Sequence, residues 1–176
     1  MVNMLWNIFI MDYAGSGSNE VYKEYKKMSI LFINGSPNKD GNTVRLAEKL
    51  LAGKEYETLH LVDYRLYSYG QKFEEDQFAE IVKKMKEDEI VVIGSPVYWH
   101  NMSGAVRNLL DRFYGPVRAG ELSGKKFVFL FQGATPEKWM MEKAEYTMSR
   151  FASMYGMDYV GMVTDSKEAE RISNKL

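Results

Sequence analysis

Ser29-Ile30-Leu31-Phe32-Ile33-Asn34-Gly35-Ser36-Pro37-Asn38-Lys39-Asp40-Gly41-Asn42-Thr43 passes from an apolar run through a glycine-rich turn into helical spacing. An unbroken run such as Ile30–Ile33 suits a strand covered on both faces. From about Thr43, the apolar residues Val44, Ala47, Leu50 and Leu51 fall on one face of a helix. The same sequence of events recurs along the chain. Ile90-Val91-Val92-Ile93 runs into Gly94-Ser95-Pro96, and Phe127–Phe131 into Gln132-Gly133-Ala134. Residues 56–62 and Tyr159–Val163 read as the second and fifth strands. Helical faces follow at Phe78, Ile81, Val82 and Met85, at Val106, Leu109, Leu110 and Phe113, at Met140, Ala144, Met148, Phe151 and Tyr155, and over 167–174. Strands that alternate with helices pair in parallel through right-handed crossovers. The expected fold is therefore α/β over residues 29–176: an open, doubly wound, five-stranded parallel sheet in the order 2-1-3-4-5, with helices on both faces.

The 176 residues suit one domain with a sizeable core. The formal net charge of −1 argues against a nucleic-acid or membrane-surface partner. No run approaches the length needed to span a bilayer, and the N-terminal patch Met4–Met11 lacks the marks of a secretory signal, so a cytoplasmic protein is expected. The chain has no cysteine, which excludes disulfides, thiolate-held zinc or iron–sulfur clusters and a thiol nucleophile. With two histidines, His60 and His100, no metal site is expected. Residues 1–28 differ from the rest: the apolar patch, Gly15-Ser16-Gly17-Ser18, then Val21–Lys27, rich in Tyr and Lys. Three readings stand: an arm that packs on a partner subunit, a disordered extension, or a leader translated ahead of the true start at Met28. Lys23-Glu24 is encodable as a ribosome-binding sequence, which the gene would settle.

In the order 2-1-3-4-5, ligands bind at the carboxyl ends of the strands, between strands 1 and 3. Two unusual loops fall there. In Asn34–Thr43, glycines allow close backbone approach, Ser36, Asn38, Asn42 and Thr43 offer polar side chains, and the helix start offers unpaired N–H groups to a phosphate. The same residues also read as a capped turn, with Asn42 or Thr43 as N-cap. Neither GxxxxGK[ST] nor GxGxxG occurs, which disfavours a nucleoside triphosphatase or a dinucleotide Rossmann site. In Gly94–Gly104, Pro96 stiffens the turn and Tyr98, Trp99 and His100 bring three consecutive rings, suited to a flat aromatic ligand. The alternative is a hydrophobic plug with Trp99 packed under the loop and Ser103 capping the next helix.

Gly35-Ser36-Pro37, Gly41-Asn42-Thr43, Ser95-Pro96-Val97-Tyr98-Trp99 and Ser103 with Leu109-Leu110-Asp111-Arg112 resemble the NADPH-dependent FMN reductase family and its flavodoxin-like quinone and azo reductase relatives. The resemblance covers residues 29 to about 165. It implies a flavodoxin-like fold, FMN as cofactor, NADPH or NADH as co-substrate, and a small-molecule acceptor such as a quinone, a nitro or azo compound, or free flavin. It implies that Ser36, Asn38, Asn42 and Thr43 hold the FMN phosphate, that Pro96, Val97, Tyr98, Trp99 and His100 line the ring and ribityl chain, and that Gly133, in the fourth-strand loop, approaches the ring from the other side. It also implies a homodimer, with Tyr64–Tyr69 and the N-terminal patch as candidate contacts. His100 is the one candidate for proton donation, beside its alternative as a packing residue. Arg107, Arg112, Arg118 and Lys125 are candidates to attract the co-substrate's phosphates, beside a reading as solvated charges. Two departures stand out. Many relatives carry Arg where this chain has Asn38, which makes Lys39 the substitute cation. Iron–sulfur relatives carry clustered cysteines after strand 2, where this chain has Tyr67-Ser68-Tyr69-Gly70-Gln71. The alternatives to a reductase are a flavodoxin-type electron carrier, for which a net charge of −1 is a poor fit, and a non-catalytic FMN-binding protein.

Overall fold

A computed structural model describes residues 28–176. The expectation of an N-terminal arm falls, but for Met28, outside the described residues. The elements are β1 (Ile30–Asn34), α1 (Asn42–Leu50), β2 (Glu57–His60), α2 (Phe78–Glu87), β3 (Ile90–Tyr98), β4 (Asn101–Met102), α3 (Gly104–Arg112), β5 (Lys126–Gln132), α4 (Lys138–Tyr155), β6 (Asp158–Val163) and α5 (Ser166–Ser173), with a single 3-10 turn at Leu61–Asp63 after β2. The parallel strands run β2-β1-β3-β5-β6, which is the expected order 2-1-3-4-5 once the short β4 is set aside. β4 pairs antiparallel with the end of β3 and makes a hairpin where a loop is expected.

Alternation along the strands divides the core in two. Ile30, Phe32, Val92, Val128 and Leu130 pack with Leu46, Ala47 and Leu50 of α1 and Ala169 and Ile172 of α5. Leu31, Ile33, Val91, Ile93, Phe127, Phe129 and Phe131 pack on the other face with residues of α2, α3 and α4. All five residues of β1 are buried, which is why its sequence is apolar without a break. Emptying a fully buried ring position such as Phe129 would cost about 3–5 kcal/mol.

Two close approaches fix the carboxyl end of the sheet. Gly35 N–H donates to the Gly94 carbonyl at 2.8 Å. A Cβ on Gly35 would lie 2.1 Å from Val106 Cγ2, and one on Gly94 would lie 2.7 Å from Thr43 Cγ2. Glycine at both positions lets α1 and α3 press onto the ends of β1 and β3.

The segment between the 3-10 turn and α2 has little regular structure and is gripped from α3. Asn108 Nδ2 donates to the carbonyls of Leu66 at 2.8 Å and Tyr67 at 3.3 Å, and Arg112 donates to the Tyr67 carbonyl at 2.8 Å. Arg112 also pairs with Asp76 and sits 4.8 Å over the Phe78 ring. The Tyr67 and Phe73 rings close the segment at 4.3 Å.

Candidate functional site

The turn from Asn34 to Asn42 is tied together by its own groups. Asn34 is fully buried at the end of β1. Its Oδ1 accepts from Ser36 N–H at 3.0 Å, and its Nδ2 donates to the Asn38 carbonyl at 3.1 Å and lies 3.0 Å from His60 Nδ1. Ser36 Oγ accepts from Asn38 N–H at 3.2 Å. The turn then delivers the chain to α1, whose N-cap is Gly41, with no side-chain cap and no acid in the first turn. The reading of Asn42 or Thr43 as the cap is thereby corrected. Asn42 Oδ1 accepts instead from Arg45 Nη1 at 3.3 Å. Thr43 is buried, and its Oγ1 accepts from Gln132 Nε2 at 3.1 Å, leaving its own proton to donate. A helix start with neither cap nor carboxylate keeps its N–H groups and positive dipole end for an anion.

The second loop is the β3–β4 hairpin. Val97 pairs with Met102 and Tyr98 with Asn101, so Trp99 and His100 form a two-residue tip. Both lie in the left-handed region, with φ of 47° and 62°. A type I′ hairpin needs that conformation, which Asn-Gly supplies without strain and Trp-His does not. Trp99 is 95% exposed, which overturns the alternative of a ring packed under the loop. Tyr98 and His100 are exposed too, and the His100 ring lies 6.0 Å from that of Trp139 at the start of α4. Below the tip Pro96 is buried and Val97 half-buried. A Cβ on Gly133 would meet Val97 Cβ at 2.9 Å, so the β5 loop closes tightly on this wall, and Gly133 stands beside Val97 rather than, as expected from the sequence, across a ring from it.

The hydroxyls of Ser95 and Ser103 join the two loops, a part for Ser95 that its place in the Ser95–Trp99 motif does not announce. Ser103 N–H donates to Ser95 Oγ at 2.8 Å, Ser103 Oγ donates to the Gly35 carbonyl at 2.7 Å, and the same oxygen caps α3 by accepting from Val106 N–H at 3.3 Å. A cavity of about 190 Å³ opens between them, lined by Ser36, Pro37, Val62, Tyr98, Gly104 and Ala105 among others. Larger cavities, of about 500 Å³ beside Phe73 and Arg112 and about 530 Å³ beside Met28 and Asp88, contain no residue of either loop.

The two loops thus meet at the switch point between β1 and β3, and residues 28–165 match the family described as NADPH-dependent FMN reductase. The chain belongs to that family. An iron–sulfur flavoprotein of Archaeoglobus fulgidus is 38% identical over 98 residues, 48% of each chain. The chain spans about half the length of the first curated relatives it matches. With no cysteine, it has no thiolate to hold the cluster in that relative's name. Among the described residues no three His, Asp or Glu are grouped as for a metal. The fold is shared with the Trp repressor binding protein of Bacillus subtilis, at 23% identity over 84% of this chain and 99% of that one, TM-score 0.65. It is shared as well with an azoreductase of Bacillus anthracis, at 17% identity over 85% and 100%, TM-score 0.63.

The residues present suit the FMN of the family's description. The uncapped α1, with the hydroxyls of Ser36 and Thr43, matches a phosphate, and the exposed rings of the hairpin match a flat heterocycle. Of the four suggested cations for the co-substrate, three are otherwise engaged: Arg107 pairs with Asp111 at 2.6 Å, Arg112 with Asp76, and Lys125 donates to the carbonyl of Lys86 at 2.6 Å, at the amino end of the sheet; at Arg118 it is the backbone N–H that donates to Glu121, at 2.6 Å. Lys39, the substitute for a missing arginine, pairs with Asp63 at 2.7 Å. Among the described residues no helix is long and apolar enough to cross a membrane.

Proposed function

We propose that this protein is an FMN-dependent NAD(P)H oxidoreductase that passes a hydride through bound FMN to a quinone, a nitro or azo compound, or a free flavin. The observation that carries the reading is the bond from Gly35 N–H to the Gly94 carbonyl, because it holds an anion cradle against an aromatic hairpin at the switch point. Bound FMN supplies the redox chemistry. The chain has to bind, orient and shield it. Ser36, Asn38, Asn42, Thr43 and the α1 start take the phosphate. Pro96, which has no N–H, with Val97 and Gly133 forms a close, dry wall for the ring. Tyr98, Trp99 and His100 line the ring and ribityl chain on its open side, where a flat co-substrate or acceptor arrives, and His100 can donate a proton to an acceptor oxygen.

Residues 29–176 form the FMN-binding unit in this reading, with 1–28 as an extension, in a cytoplasmic homodimer. Light scattering at micromolar concentration is expected to give twice the chain mass; a monomer counts against the dimer. The reductase itself is tested by adding FMN to the purified protein, desalting and recording the visible spectrum, then adding NADPH without oxygen. Flavin bands that stay with the protein and bleach with NADPH are expected. Bleaching with dithionite alone would make the protein an electron carrier, and loss of the bands on desalting would overturn the reading.

A further inference from the structure

We propose that Lys39 and Asp63 form an exchangeable ion pair, in which Lys39 moves to the phosphate of bound FMN and Asp63 holds FMN affinity down by competing for it. The inference rests on the reading of Asn34–Thr43 as the phosphate cradle.

Four observations converge. First, the Lys39–Asp63 pair, at 2.7 Å, has side chains 54% and 48% exposed, so water screens it and it opens easily. Second, Lys39 lies in the turn, three residues before the first residue of α1, which keeps its Cα within about 11 Å of the helix start. Its four-carbon stem and compact charge span the remaining distance. Third, that helix start has no side-chain cap and no acid in its first turn, Asp40 lying just ahead of the N-cap Gly41, so its N–H groups are left to an anion. Fourth, the other nearby cation, Arg45, already donates to Asn42 on the helix surface, and Asn38 is neutral. A phosphate monoester carries close to two negative charges near neutral pH and outcompetes a single solvated carboxylate for Lys39.

Asp63 is a positioning residue in this arrangement. It reaches the cradle from the 3-10 turn after β2, the strand beside β1. It keeps Lys39 extended and hydrated when no phosphate is present, and each binding event has to break the pair.

The test compares FMN with riboflavin, which lacks the phosphate, by quenching of flavin fluorescence at low salt. In Asp63→Asn, the dissociation constant for FMN is expected to fall about fivefold with that for riboflavin unchanged. In Lys39→Gln, FMN is expected to weaken about tenfold, again without effect on riboflavin. In the double variant, Asp63→Asn should bring no gain, because the lysine it frees is gone. An unchanged FMN constant in Asp63→Asn, an equal shift for both flavins, or a full gain in the Lys39→Gln background would overturn the exchange. If the unaltered protein binds neither flavin, the cradle reading fails at the outset and this inference falls with it. Binding of both flavins with equal strength by the unaltered protein would remove the phosphate from the site and overturn it as well.

Discussion

The turn from Asn34 to Asn42 is held in shape by a buried amide of its own, whereas the hairpin at Trp99 and His100 holds two residues in a conformation that neither favours. In the turn, one buried amide, that of Asn34, serves Ser36, Asn38 and His60. In the hairpin, a 95%-exposed indole caps two left-handed residues, each at a cost of about 1–2 kcal/mol. Strain that persists beside a binding site points to a use for the groups it displays. In the proposed function the contrast gives the two loops different tasks: a phosphate needs fixed donors, and a flat ring with an acceptor that comes and goes needs an accessible face.

The comparison breaks hardest at its joint. Gly35→Ala would place a methyl 2.1 Å from Val106 Cγ2 and 2.8 Å from the Gly94 carbonyl. Urea denaturation is expected to show a loss of about 3 kcal/mol, together with loss of FMN binding, since α3 can no longer seat against the end of β1 where β1 bonds to β3. A next, smaller break is Asn34→Ala. It leaves Ser36 N–H and the Asn38 carbonyl unpaired by the amide, and a loss of about 2 kcal/mol with weakened FMN binding is expected from the same titrations. If Asn34→Ala binds FMN as the unaltered protein does, the turn is not pre-organised by its internal bonds. The smallest change sharpens the contrast from the other side. Replacing the tip by Trp99→Asn with His100→Gly gives the turn the residues it favours, so stability should rise by about 1 kcal/mol while KM for a quinone acceptor increases. A gain in stability without any change in KM would mean that the exposed rings do not meet the acceptor.

The strands and their order were legible because a two-sided parallel sheet writes continuous apolar runs, as in Ile30–Ile33 and Phe127–Phe131. Both loops were legible as exceptions to that pattern. The hairpin was not, because its tip lacks the Asn-Gly signal and β4 is only two residues long. The partners of Lys39 and Arg112 were hidden for a different reason: Asp63 and Asp76 are far away in sequence, and only the fold brings them near. Asn34 read as the end of a strand, since a single buried amide has no periodicity to announce it.

The grip of α3 on the segment after β2 has a consequence for how the chain can be cut. Lys72 is exposed, with an anchor on either side: the Tyr67 carbonyl, held by Asn108 and Arg112, and Asp76, held by Arg112. Brief trypsin treatment that severs the backbone after Lys72 leaves two fragments, of which the smaller carries β1, α1 and β2 within the sheet. Neither fragment can leave without dismantling both halves of the core, so the nicked molecule stays whole until it is denatured.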